Sequence, residues 1–134
     1  MVFDFGGQSQ FKTLLNTSSP FLAGASAALV CLDVSRFVIF KNLRFWLDLL
    51  NKLPQMPIAL EGTKKDKIPV IDQQMIQDLM IERKVDNYFE ISCVTGYNIL
   101  APFKWAVMVS KKGQISPNSN IKDISFKTNV PILS

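Results

Sequence analysis

Three apolar runs, each delivering the chain to a polar loop, recur at intervals too long for hairpins. They are ASAALVCLDVS (25–35), MPIALEG (56–62) and DNYFEIS (86–92). Each reads as a nearly continuous hydrophobic stretch, the pattern of a strand buried on both faces. The segments between them repeat at a helical period instead. In FKNLRFWLDLLNKL (40–53), Leu43, Trp46, Leu47 and Leu50 share one stripe, and Pro54 stops the helix. Asp72 is the expected N-cap of a second helix whose inner face is Met75, Ile76, Leu79 and Met80. Asn98 is expected to cap a last helix running to about Lys112, with Ile99, Phe103, Ala106 and Val107 on one side. Lys111 and Lys112 suit the negative end of that helix, and Gly113 suits the cap beyond it. Ahead of these elements, MVFDF reads as a short strand and Gln10 to Leu15 as a short helix.

Strands that alternate with helical crossovers specify an α/β protein with a mainly parallel sheet. The expected architecture is three-layered, with flanking helices over residues 1–112 and an extended tail from 113 to 134. In open parallel sheets, ligands sit at the carboxyl ends of the strands. Three polar loops occupy that edge here: DFGGQ (4–8), GTKKDK (62–67) and SCVTG (92–96).

Composition narrows the chemistry. The 134 residues are 48% hydrophobic and 19% charged, a globular balance. No apolar run reaches the roughly 18 residues of a membrane span, and MVFDFGG lacks the features of a secretory leader. A net charge of +4 without a long basic run or an aromatic-basic ladder reads as solvated lysines, not as a nucleic-acid surface. The chain has no histidine, which removes His-based triads and His metal sites. Its two cysteines, Cys31 and Cys93, lack metal-ligand spacing and read as reduced thiols of a cytoplasmic protein.

The three loops, in this order, resemble those of Ras-superfamily small GTPases of the Ras, Rab and Arf-like types. DFGGQ matches the family's D-x-x-G-Q, GTKKD is similar to the base-reading N/T-K-x-D, and EISCVTG is similar to E-x-S-A-K-x-G. Each alone is a common turn sequence; all three at successive strand ends carry the resemblance. It implies a P-loop NTPase, small-GTPase-like fold that binds GTP or GDP with Mg²⁺, hydrolyses GTP and acts as a switch toward regulatory and effector proteins.

The resemblance also assigns roles. Asp66 would accept two hydrogen bonds from the adjacent N1 and N2 donors of guanine. Lys64 would lay its alkyl stem along the base, beside Thr63, where Asn is commoner. The backbone N–H of Cys93 would donate to guanine O6 while Ser92 braces the loop. Val94 stands where the family has Lys, which weakens stacking there. On the phosphate side, Asp4 would hold Mg²⁺ through water, Gly7 would present its N–H to the γ-phosphate, and Gln8 would orient the attacking water. The closing VPILS has no cysteine, so the expectation is a chain without the prenylation box of many relatives.

One family element is missing from the pattern. No G-x-x-x-x-G-K-S/T occurs in these residues, and DFGGQ follows Met1 almost directly. The expectation is therefore a fold shortened at its amino end, without the phosphate-binding loop and first switch. Such a chain would bind GTP feebly and be inactive alone, or be completed by an N-terminal segment from elsewhere. The alternative is a non-catalytic, GTPase-derived binding or scaffold module completed by a partner.

Overall fold

A computed structural model describes Val2, Asp4, Phe5, Leu22 and residues 24–53 and 56–111. Ala25–Gly113 form one compact unit. The elements run β1 (Ala28–Asp33), α1 (Phe37–Leu50), β2 (Ile58–Thr63), α2 (Gln73–Glu82), β3 (Asn87–Glu90) and α3 (Ala101–Lys111). The three strands make a fully parallel sheet in the order β1-β2-β3. Val30 lies opposite Leu60, and Leu60 opposite Tyr88. The expected α/β alternation therefore holds from residue 28 onward. No helix among the described residues is long and apolar enough to cross a membrane.

The side-chain period of two separates the sheet's faces. On one face Val30, Leu32, Ile58 and Leu60 join Leu43, Leu47 and Leu50 of α1 and Ile76 and Leu79 of α2 in a single core. Each such side chain, fully buried, contributes about 1.5–3 kcal/mol. The helical stripe read from the sequence is the one that packs. Trp46, Met75 and Met80 lie only partly buried against its margin. On the other face, the Phe89 ring meets Trp105 of α3 edge-on, with centroids 6.3 Å apart. Gly62 is fixed by packing, because a Cβ there would collide with the Tyr88 hydroxyl and the Val34 side chain.

Several local expectations need correction. β1 is not buried on both faces: Cys31 is exposed while its neighbours Val30 and Leu32 are buried. Among the described residues β1 pairs on one side only, with β2. β3 is half-buried throughout. α1 begins three residues before the helical segment expected at 40–53 and ends at Leu50, before Pro54. Asn51 closes it, with its backbone N–H bonded to Leu47 and its side-chain amide to the carbonyl of Arg83, 2.7 Å away.

Asn98 does not cap the last helix through its side chain. Its φ is +55°, and its amide turns back to the Glu90 carbonyl at 3.1 Å. Asn tolerates this left-handed backbone better than most residues. Only the Asn98 carbonyl serves α3, accepting from the Ala101 N–H. The inward side of α3 shifts accordingly: Pro102 is buried, while Ile99 and Phe103 are exposed. Asp72 behaves as read, accepting from the Met75 N–H at 2.8 Å.

Val2, Asp4 and Phe5 belong to no strand, against the expectation for MVFDF. A strand exists only through a neighbour that pairs with it. The expected helix at 10–15 and the tail from 113 lie outside the described residues, as do Gly7 and Gln8.

Candidate functional site

The carboxyl ends of β1, β2 and β3 open onto one rim. The β2–α2 loop is tied to its neighbours on both sides. Toward β1, the Thr63 hydroxyl donates to the Leu32 carbonyl at 3.1 Å, and Val34 N–H donates to the Thr63 carbonyl. Toward β3, Lys65 N–H donates to the Ile91 carbonyl at 3.0 Å. Lys67 N–H closes a turn onto the Lys64 carbonyl at 2.9 Å, and Lys64 itself sits at φ +62°. A non-glycine residue in that region is uncommon, and here the cross-loop bonds on either side hold it.

Two carboxylates dominate the rim. Asp66 is exposed, and Ser92, almost fully buried, donates its hydroxyl to Asp66 Oδ1 at 2.6 Å. That bond, followed by one with Asp66's own backbone, holds the carboxyl below the usual range. Ser92 Oγ in turn accepts from the Thr95 N–H at 3.2 Å, and Ser92 N–H donates to the Tyr97 carbonyl. The serine thus clasps its own loop while aiming the carboxylate of the neighbouring one. A carboxylate has about four acceptor positions. The Ser92 bond leaves capacity for a ligand with two adjacent N–H donors.

The second carboxylate is Asp33, only 7% exposed at the end of β1. It accepts from the Ser35 N–H at 3.0 Å, from the Ser35 hydroxyl at 2.5 Å and from the Lys64 ammonium. Burial alone would raise its pKa. The hydrogen bonds from Lys64 and Ser35 outweigh that and lower it to about 2. Beside this pair, Lys65 bridges to Glu90 at 2.6 Å. The rim therefore places cations and carboxylates alternately across three strand ends.

Of the expected site residues, Thr63 closes β2, and Lys64, Asp66, Ser92, Cys93 and Val94 lie on the loops that follow β2 and β3. The structure joins Ser92 directly to Asp66 and ties Thr63 to β1. Cys93 is exposed, and Val94 is 83% exposed. Asp4 is exposed and outside the compact unit that carries the rim. Sequence reasoning passed over Asp33 and Ser35. The available signal was a carboxylate closing an apolar strand, a position where burial demands a partner.

A model of the Ras family matches residues 1–112. The chain belongs to the Ras family. It is also 27% identical over 108 residues to the Ras-related protein RabG2 of Dictyostelium discoideum, a stretch covering 76% of this chain and 52% of that protein. The chain thus spans about half the length of this curated relative. Placed in the Ras family, its parallel sheet and carboxyl-edge loops agree with the architecture expected from the three loops. The family's G-x-x-x-x-G-K-S/T does not occur in these residues.

Proposed function

We propose that the rim is the guanine-reading part of a small-GTPase nucleotide site. The observation that carries this reading is the Ser92–Asp66 bond, which aims an exposed carboxylate across two loops. Asp66 would accept from N1–H and N2–H of the base. Adenine presents no such donor pair, so the carboxylate selects guanine. Charge-assisted bonds of this kind contribute roughly 1.5–3 kcal/mol each. Lys64 lays its stem along the base, Thr63 holds the loop to β1, and the Cys93 N–H donates to O6. Val94 offers no ammonium at its position and adds little.

By the resemblance of DFGGQ to D-x-x-G-Q, Gly7 and Gln8 would serve the phosphates, and Asp4 would reach Mg²⁺ through water. The chemistry of these residues suits a nucleotide, and Mg²⁺, when bound, would neutralise phosphate charge. An amide cradle would have to come from a further segment, because no G-x-x-x-x-G-K-S/T lies in this sequence. The loss of about five cradle contacts at ~1.5–3 kcal/mol each leaves the 134 residues with weak affinity. The full assembly binds and hydrolyses GTP and presents its switch to regulators and effectors.

Titration of the chain with a fluorescent guanosine nucleotide, against an adenosine analogue, tests the base assignment. Weak but guanine-selective binding is expected, and Asp66→Asn should abolish the selectivity because a donor then faces donors. Unchanged selectivity in that variant would remove Asp66 from the base site.

A further inference from the structure

We propose that Asp33 is the positioning residue for Lys64, holding its ammonium at the end of β1 so that the lysine stem lies across the rim and receives a purine base. The inference rests on the guanine-reading assignment and names a residue outside the three sequence motifs. Asp33 is buried, and three donors converge on it. Two come from Ser35, two residues along the chain; the third is the only one from another strand end. Ser35 therefore orients the carboxylate locally, and the carboxylate then fixes Lys64 from a distance of 31 residues in sequence.

Lys64 needs such an anchor. Its side chain is about half exposed, with 47% of its surface open, and a free lysine samples many rotamers. Its left-handed backbone sets only where the stem starts. The other nearby cation, Lys65, is engaged by Glu90 on the far side of the loop, so the two lysines are drawn in opposite directions. A stem stretched toward β1 presents a flat apolar surface along its methylenes while its charge is neutralised at the tip. An unanchored stem would have to be ordered by the base itself, at the expense of affinity.

The test measures the lysine and the base separately. Competitive acetylation read by mass spectrometry gives the Lys64 rate with Lys67 as internal reference. In Asp33→Asn the Lys64 rate should rise about threefold or more, the range of a partly exposed ion pair. Guanosine nucleotide affinity should fall by about the same factor, and Asp33→Glu should restore part of both. An unchanged Lys64 rate overturns the proposal. So does unchanged affinity in Asp33→Asn when the parent chain binds. If the parent chain binds no guanosine nucleotide, the base assignment fails instead, and the acetylation rate alone decides whether Asp33 anchors Lys64. If Asp33→Asn does not fold, the parent chain decides. Slower acetylation of Lys64 than Lys67, persisting in about 0.5 M salt where exposed pairs are screened, supports the anchor, and equal rates overturn it.

Discussion

The two ends of the parallel sheet are built from similar residues but use them differently. At the amino end, polar groups satisfy the backbone. Asp86 accepts from the buried Ile58 N–H at 2.8 Å, its own N–H donates to the Ile58 carbonyl, and Ala28 N–H bonds to Pro57. At the carboxyl end, side chains hold other side chains: Ser92 on Asp66, and Lys64 and Ser35 on Asp33. The first arrangement closes the sheet and leaves little chemistry free. The second holds charged atoms at the surface in fixed directions, which is what a ligand site requires. A parallel sheet makes this division natural, because all its strands deliver loops to the same edge.

The sharpest way to break this contrast is a pair of matched variants. Ser92→Ala removes the donor to Asp66 and the acceptor of Thr95 N–H, while Asp86→Ala strips the acceptor from Ile58 N–H. Each should cost about 1–3 kcal/mol by denaturant melting. Only Ser92→Ala should also weaken guanosine nucleotide binding. Equal effects on binding would show the two ends to be functionally alike.

Acid titration sharpens the comparison at an intermediate scale. Asp33 has a folded pKa near 2, below its ordinary 3.8. A depressed carboxyl contributes stability that is full above the ordinary value and lost as pH falls through the folded one. Asp66 is shifted in the same direction. Stability of the parent chain should therefore decline between about pH 4 and pH 2, as measured by chemical melts at each pH. In Asp33→Asn that part of the decline should be smaller.

The smallest effect belongs to the helix surfaces. Arg44 pairs with Glu82 at 3.3 Å, both about half exposed. Arg44→Ala should change stability by less than about 1 kcal/mol and leave binding unaltered. A larger loss would mean that the guanidinium stem packs more tightly than its exposure suggests.

The stripes of α1 and α2, the Asp72 cap and the three strand ends could be read directly from the chain. Each depends on residues within one or two turns of each other, and apolar period and capping chemistry are local. The same locality explains the misreadings. Asn98 has a capping residue's chemistry, but the Glu90 carbonyl, brought near by the folded loop, claims its amide. Cys31 lies in a run as apolar as any other, yet exposure depends on what covers the strand, not on the strand itself. Of the rim, the loops and their residue types were legible. The pairing of Asp33 with Lys64 was not, because 31 residues separate them.

By itself, then, the order of residues determined the alternation of strands and helices and which loops share an edge, since hydrophobic period and crossover length leave few other arrangements. Only the tertiary structure decided which side chains on that edge touch. Contacts such as Ser92 to Asp66 arise from strand register and loop closure, which bring together groups that no local pattern relates.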